Sequence, residues 1–210
     1  FLFPEDAFVN QVWVNEHFMK NVFKNYLQKM SNAGLGLDFA TAVCMYGKVT
    51  IYCLIGPEEN IIHLCFTPEK HELAQKRLSG LYKDVNFYRL NQKDFRYNRI
   101  FNDYFTGNLS KFPIKIDSPF INGGTPFQQR VWQQISAIPY GCCITYQRLA
   151  ELAGSHLGAR AAGTACGANP LALIIPCHRV IAQNGLGGFG GGLTVKRSLL
   201  ALEEAGNNCI

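Results

Sequence analysis

Between residues 39 and 66 the chain carries three short runs of β-forming residues, whereas elsewhere its apolar residues recur mostly at helical spacing. The runs cover residues 39–46, 49–55 and 61–66, and the turn-forming segments 46–48 and 56–60 separate them. Strands joined by such short turns pair antiparallel. We therefore predict an α+β fold whose N-terminal half contains a small antiparallel sheet.

Helical patterns lie on both sides of this sheet. A polar helix opens at Pro68, where proline suits the first helical position. The apolar spacing predicts a short strand over residues 85–90 and helices over residues 6–30, 68–81 and 92–104. The N-terminal half is thus expected to place a helix beside the sheet.

The composition changes near residues 107–126, where Gly, Pro, Asn and Ser gather. Thr125 as N-cap and Pro126 at the first helical position then open a new helix. We place a domain boundary in this segment. The expected result is an N-terminal α+β structural domain, 1–118, and a mainly helical C-terminal domain, 119–210.

Composition excludes several classes of protein. No uncharged apolar run approaches the roughly 20 residues that cross a bilayer, so no membrane segment is expected. The eight cysteines are scattered without a C-x-x-C pair, which favours a reducing compartment, and His63-x-Cys65 has no second ligand pair close by. We expect no metal and no cofactor. We also expect a cytoplasmic protein, or a nuclear one in a eukaryote.

The net charge of the chain is +5, which is compatible with nucleic-acid binding. The sequence starts at Phe1 rather than Met, so further residues upstream stay an open alternative.

Two short helices follow, the first from Thr145 to its exit at Gly154 and the second over residues 158–168, with a short turn between them. The first is expected to turn Leu149 and Leu152 inward. The second has almost no side chains, since only Arg160 is long. Such a surface either packs tightly inside the protein or lets the backbone approach DNA, with Arg160 entering the base stack. The pair predicts a helix-turn-helix.

An apolar run ends at Cys177, which Pro176 precedes and His178 and Arg179 follow. A buried, inert thiol is the ordinary interpretation of a single cysteine, but these cationic or switchable neighbours favour a reactive one. In a regular strand His178 would point away from Cys177. Either the chain turns here or a water bridges the two side chains.

Six glycines lie within residues 185–192 and include the pattern G-x-G-x-x-G. This is a weak signal for a dinucleotide site, because no recognisable βαβ unit precedes it. The segment is interpreted either as a flexible loop or as a lid that places Phe189 against a flat aromatic ligand.

Together these residues resemble the O6-alkylguanine-DNA alkyltransferases, also called methylated-DNA-protein-cysteine methyltransferases. The active-site signature of that family here reads Ile175-Pro176-Cys177-His178-Arg179-Val180. The resemblance extends from about Pro126 to Gly206, whereas residues 1–118 match only in arrangement and are expected to be structural. Some relatives bind zinc through an early cysteine pair, but no Cys precedes Cys44 here.

The resemblance implies a direct transfer reaction. Cys177 would attack, as a thiolate, the alkyl carbon on O6 of guanine, and also on O4 of thymine. His178 would act through water, with Glu203 holding it in the needed tautomer. Tyr146 would donate a proton to the departing guanine, and Asn169 would support the active-site turn. Because the thioether formed is inert, each molecule would act once.

The resemblance also implies how DNA is bound. The target base must leave the stack, and Arg160 would fill the gap while its helix lies in the minor groove. The other residues expected at the DNA are Ala159, Ala161, Gly163, Thr164 and Tyr146. The residues expected to line the base pocket are Phe189, Val180, Gly188 and Gly190, with Phe189 standing where many relatives have Tyr. The partner would be double-stranded DNA containing O6-alkylguanine, bound by a monomer, with cooperativity left open.

Three other functions stay open at this point. Alkyltransferase-like proteins bind damaged DNA without reacting, but they lack the acceptor cysteine that Cys177 would supply. A transcription regulator of the alkylation response would use the same two helices together with further upstream domains. A cysteine hydrolase would need a nucleophile elbow or an oxyanion-hole signature, neither of which is recognised in the sequence.

Overall fold

The structure, a computed structural model, describes residues 37–155 and 158–205. In these ranges four strands form one sheet: β1 (Leu37–Tyr46), β2 (Val49–Ile55), β3 (Ile61–Cys65) and β4 (Val85–Leu90). Their order in the sheet is β3-β2-β1-β4. The first three form the predicted antiparallel sheet. The helix expected over residues 6–30 lies outside the described residues.

Strand β4, predicted as a strand but without a pairing, lies parallel to β1. Helix α1 (Pro68–Leu81) connects β3 to β4 and carries the chain across the sheet to the far side of β1. Strand β4 therefore runs in the same direction as β1. Thr67 fixes the start of α1, since its side chain accepts a hydrogen bond from the backbone N of Lys70. The fold is therefore α+β, with one parallel pair in a mostly antiparallel sheet.

The remaining elements follow β4 along the chain, and most of them lie in the C-terminal half. Helix α2 (Asn98–Phe105) is shorter than predicted, because a 3-10 turn at Gln92–Asp94 and an extended Phe95 replace its start. The other elements are α3 (Pro119–Asn122), α4 (Pro126–Ser136), β5 (Ile144–Thr145), α5 (Tyr146–Leu152), α6 (Gly158–Gly167), β6 (Val180–Ile181) and α7 (Leu193–Ala205). None of the helices in the described ranges is long and apolar enough to span a bilayer.

Helices α5 and α6 form the expected helix-turn-helix pair. Thr145 caps α5 by accepting a hydrogen bond from the backbone N of Arg148. Leu149 is fully buried as predicted, but the prediction for Leu152 was wrong, since it is 37% exposed. Leu149 and Ala150 form the buried face of this short helix, which packs against α6 and α4.

Within the described residues, two hydrophobic cores lie on opposite faces of the sheet. The main core packs one face against the C-terminal helices and contains Ile51, Trp132 and Leu199. The smaller one, termed the α1 core, lies between α1 and the other face. Its residues are Leu37, Phe39, Leu54, Ile62, Ala74, Leu78 and Phe120.

The edge strand β3 is also bonded to the segment that leads to Cys177. Leu64 N donates to Pro170 O at 2.8 Å, and Leu64 O accepts from Ala172 N at 3.1 Å. These bonds satisfy part of an otherwise unpaired sheet edge. They also fix the position of the cysteine segment relative to the sheet.

Candidate active site

Cys177 lies in a single 3-10 turn, Cys177–Arg179, which follows the segment bonded to β3 and leads into β6. The backbone N of Arg179 closes the turn on Pro176 O at 2.9 Å. Consecutive side chains in such a turn do not point to opposite faces, as they would in a strand. The turn therefore removes the obstacle to cooperation between Cys177 and His178, which are 6% and 0% exposed.

Asn169 holds the chain that surrounds the thiol. Its Nδ2 donates to Ile175 O at 2.8 Å, and its Oδ1 accepts from Leu171 N at 3.0 Å. Both partners lie in the apolar run before Cys177, so the side-chain amide of Asn169 links the two ends of this run. These two bonds fix the shape of the segment that leads to Cys177.

Burial raises the pKa of the Cys177 thiol above its usual value. A hydrogen bond with Asn169 and the positive charges of Lys70 and Lys196 act in the opposite direction and lower the pKa of Cys177. Burial is the largest of these effects, so the net shift is upward. The resting sulfur is therefore a protonated thiol that needs a base when it reacts.

His178 is paired with Glu203 of α7, with Nε2 2.8 Å from Oε1. Burial lowers the pKa of His178 more than the hydrogen bond and charge of Glu203 raise it, so the imidazole is neutral at pH 7. Because an ionised carboxylate only accepts, Nε2 carries the proton and Nδ1 carries the lone pair. Nδ1 is buried and has no hydrogen-bond partner among the described residues. It is therefore an available base beside the thiol-bearing residue.

Glu203 stays ionised although it is fully buried. Burial works to raise its pKa, but hydrogen bonds from His178 and Arg179 outweigh burial and lower the pKa to about 2. Arg179 donates to both carboxylate oxygens at 2.9 Å, from Nε and from Nη2. Tyr104 OH donates to Oε1 at 2.6 Å, and the backbone N of Gly141 donates to Oε2 at 3.1 Å. The carboxylate is thus held from several directions.

The sequence analysis assigned Arg179 no role beyond its charge next to Cys177, and it did not predict Tyr104 or Lys196 as parts of this site. Helix α7 contains a signal for Lys196, which shares one helix face with Leu199 and Glu203 at the spacing i, i+3 and i+7. All three side chains are 0% exposed. Two charged residues on a buried face indicate a polar site beneath the helix. Tyr104 gives no such signal, because it is 99 residues from Glu203 in the sequence.

Lys196 ties the glycine-rich loop to the site. Its Nζ donates to the carbonyl oxygens of Val180, Leu186 and Gly188, at 2.6, 2.5 and 3.3 Å. Tyr146 OH donates to the same Gly188 oxygen at 2.9 Å. Burial, together with the neighbouring cysteine thiols, raises the pKa of Tyr146 to about 12. These bonds fix the loop next to Tyr146, which favours the interpretation as an ordered lid.

A recess opens beside Cys177. Phe66 and Lys70 line it from the N-terminal half, and Phe189 and Gly190 line it from the loop. The rings of Phe66 and Phe189 have centroids 5.4 Å apart. Cys65, Cys166, Asn169, Ala172 and Gly191 complete the lining. The N-terminal half, expected to be purely structural, therefore contributes directly to the recess.

The two other residues expected in the base pocket lie elsewhere. Val180 is fully buried in the main core, because β6 pairs with β5 and turns this side chain inward. Gly188 is exposed and contributes its carbonyl to the bonds with Tyr146 and Lys196. Only Phe189 and Gly190 of the four expected pocket residues line the recess.

Helix α6 has one packed and one exposed face. Ala162 and Ala165 are buried, and Trp132 Nε1 donates to Ala165 O at 2.9 Å. Gly163 is half-buried beside the ring of Tyr146. Among the residues expected at DNA, Ala159, Arg160 and Thr164 are exposed and Ala161 is half-buried. The small residues thus serve packing on one face and leave the other face open.

Comparison with known proteins supports the sequence resemblance. Residues 126–205 match a family model described as the DNA binding domain of 6-O-methylguanine DNA methyltransferase. The methylated-DNA–protein-cysteine methyltransferases of Mycobacterium tuberculosis and Salmonella typhimurium are each 48% identical to this chain, over 105 and 102 residues. These alignments cover 50% and 48% of this chain. The chain spans 61% and 58% of the length of these two curated relatives.

Solved structures extend the similarity into the N-terminal half. The O6-methylguanine methyltransferase of Mycobacterium tuberculosis has a TM-score of 0.65 and 31% identity, covering 83% of this chain and 96% of that chain. The Mycobacterium tuberculosis protein in complex with DNA has a TM-score of 0.63 and 32% identity, covering 82% and 96%. Because both the fold and the sequence agree, the chain belongs to the methylated-DNA–protein-cysteine methyltransferase family.

Proposed function

We propose that this protein repairs DNA by transferring a methyl or other alkyl group from O6 of guanine to the sulfur of Cys177. The observation that carries the proposal is the thiol in a recess, followed in the same turn by a neutral His178 that Glu203 orients. In the transfer the bond between O6 and the alkyl carbon breaks and a carbon–sulfur bond forms. Sulfur is the suitable nucleophile for such a soft, saturated carbon.

The thiol proton has a defined destination in this proposal. His178 Nδ1 holds a lone pair and has no partner within the described ranges, so it accepts the proton through a bridging water. The imidazolium that forms is stabilised by the ionised carboxylate of Glu203 at 2.8 Å. Arg179 and Tyr104 keep that carboxylate in place, and they act as positioning residues.

The leaving guanine needs a proton, and Tyr146 is the donor that we propose. Its hydroxyl donates to Gly188 O, so it exchanges this acceptor for the guanine when the base enters. A pKa of about 12 keeps the phenol protonated until negative charge develops on the base. Because the product thioether has no route back to a thiol, each molecule reacts once.

The exposed face of α6 is the proposed contact with duplex DNA. Only a base rotated out of the stack can bring its O6-alkyl group to a buried thiol. Arg160 is the long exposed side chain of this helix and would fill the gap, while Ala159, Ala161, Gly163 and Thr164 let the backbone approach the minor groove. The relative from Mycobacterium tuberculosis has been solved in complex with DNA, which supports this assignment. We further propose that the protein acts as a monomer in the cytoplasm, or in the nucleus of a eukaryote.

The test is transfer of label from duplex DNA that contains O6-[³H-methyl]guanine. We expect at most one equivalent of label per chain, located by peptide mass spectrometry on Cys177. Cys177→Ser should abolish transfer and retain DNA binding, whereas Cys166→Ser, which alters another thiol of the same recess, should still transfer. Label on another residue, or several turnovers per chain, would contradict the proposal. A parallel duplex with O4-methylthymine tests the wider lesion range.

A further inference from the structure

Three side chains capable of binding metal meet at one end of the α1 core, and one of them, Cys65, also borders the recess beside Cys177. They are His63, Cys65 and His71, and each offers one ligand atom within 4.8 Å of the other two. His63 is 9% exposed, Cys65 3% and His71 8%. The cluster is therefore a concentration of nitrogen and sulfur ligands inside the protein.

Local structure explains how these residues meet. His63 and Cys65 are two positions apart on β3 and so point to the same face of the sheet, the face that α1 covers. Thr67 caps α1 and Pro68 starts it, which places His71 in the first turns of the helix, above the strand. The sequence shows only the His-x-Cys half of this arrangement.

The buried imidazoles are not satisfied by the protein around them. The Nδ1 atoms of both His63 and His71 are buried and have no hydrogen-bond partner within residues 37–155 and 158–205. The ring of His63 meets Phe120 edge-on, and the ring of His71 lies against Tyr52, so aromatic side chains replace polar partners. A buried polar atom without a hydrogen-bond partner destabilises the folded protein, so two such atoms in one cluster call for a ligand.

We propose that His63, Cys65 and His71 bind one Zn²⁺ ion, which fastens α1 to β3. Two imidazoles and a thiolate are ligands that zinc accepts, with a water in the fourth position. Tetrahedral zinc at about 2.0–2.1 Å from nitrogen and about 2.3 Å from sulfur requires ligand atoms roughly 3.3–3.7 Å apart. The three ligand atoms already lie within 4.8 Å of one another, so small side-chain movements bring the cluster to that spacing. Binding converts the Cys65 thiol to a thiolate and releases its proton to solvent.

The charges around the cluster favour a ligand set that includes a thiolate. Lys70 and Arg77 place positive charge near His63, which opposes a divalent cation held by neutral imidazoles alone. Glu69 near Cys65 and Glu72 near His71 supply negative charge on the helix side. With the thiolate, the zinc centre carries one net positive charge rather than two.

The experiment measures metal binding to the full chain with Cys177→Ala as background, so that the acceptor thiol does not compete. We expect one tightly bound Zn²⁺ per chain, and substitution with Co²⁺ should give a thiolate-to-cobalt charge-transfer band. Cys65→Ser should remove that band, and His71→Phe should raise the Kd for Zn²⁺ by at least about 100-fold. His71→Phe keeps a ring against Tyr52, so it tests the ligand rather than the packing.

Cys53→Ala is the matched control, because Cys53 is a buried thiol of the neighbouring strand on the opposite face of the sheet. This variant should bind zinc as the background chain does. Failure of the background chain to retain one equivalent of Zn²⁺ would overturn the proposal, whatever the variants do. Binding that survives both Cys65→Ser and His71→Phe would also overturn it. Neither outcome bears on alkyl transfer to Cys177, which is measured separately.

Discussion

The Nζ atom of Lys70 lies 3.2 Å from the carbonyl oxygen of Gly167, so the first turn of α1 contacts the end of α6. The same lysine lines the recess beside Cys177 and lies against Gly190 of the loop. Its charge is one of the effects that lower the pKa of the buried thiol. The N-terminal half therefore places a cation at the reactive sulfur.

Replacing this cation should slow the reaction of the thiol. In Lys70→Met, a smaller fraction of Cys177 is ionised at a given pH, because one favourable charge is lost while burial is unchanged. We expect alkylation of Cys177 by iodoacetamide to be about three- to tenfold slower at pH 7.5. The reaction is run in buffer that contains a metal chelator, and mass spectrometry of the Cys177 peptide measures its rate. Lys70→Arg should restore the rate, and Lys76→Met, an exposed lysine of α1, should not change it. Equal rates in Lys70→Met and the unmodified chain would remove Lys70 from the site.

The rate of the same reaction should depend steeply on pH. Burial raises the pKa of Cys177 above its ordinary value, so the thiolate is the minor form throughout the neutral range. The fraction ionised, and with it the rate, should rise about tenfold for each pH unit between pH 7 and 9. Iodoacetamide labelling of the Cys177 peptide over this range checks the slope. A rate that levels off below pH 8 would mean that the thiol is already ionised at rest, against the arrangement described.

Local patterns were enough to predict most of the fold. The meander and the start of α4 were predicted because alternation, turn residues and the Thr125-Pro126 pair act over a few residues. The parallel pairing of β4 could not be predicted, since it depends on how far α1 carries the chain across the sheet. The bonds from Leu64 to the cysteine segment likewise join elements that no local pattern connects.

The candidate site shows the same division. Cys177 and His178 lie in one motif, and family resemblance supplied Glu203, whose pairing with His178 the structure displays. Tyr104 and Lys70 could not be found in this way, because their contacts form only when the N-terminal elements pack on the C-terminal half. His71 was missed as a partner of the His63-x-Cys65 pair for the same reason.

Removing the buried carboxylate should destabilise the protein. In Glu203→Gln, the Arg179 guanidinium loses its charged partner while it stays buried, and such a loss costs about 3–5 kcal/mol. Urea unfolding at pH 7 measures the change. Glu204→Gln, on the neighbouring exposed position, should change the unfolding free energy by less than about 0.5 kcal/mol. If both variants were equally stable, the carboxylate would not anchor the site.

Stability should fall on acidification in a window that Glu203 defines. Its pKa is about 2 in the folded protein against 4.5 as the ordinary value, so the unfolded state takes up the proton first as the pH falls. The ionised Glu203 contributes about 3 kcal/mol to the free energy of unfolding. This contribution is complete above pH 4.5 and is lost progressively as the pH falls towards 2. His178, whose pKa is lowered, adds a loss that begins below pH 6.5. Unfolding free energies from pH 7 to 3 should decline less in Glu203→Gln, and identical slopes would contradict the assignment.

The exposed arginine of α6 should matter only when the substrate base is in a duplex. Arg160→Ala removes the side chain proposed to fill the gap left by a rotated base, which a free base does not create. We expect transfer from duplex O6-methylguanine to slow on the order of tenfold, while reaction with free O6-benzylguanine keeps its rate. Arg99→Ala, an arginine on α2 whose side chain is 93% exposed, controls for the loss of one positive charge. Equal losses with both substrates would mean that Arg160 supports the fold or the thiol rather than the extruded base.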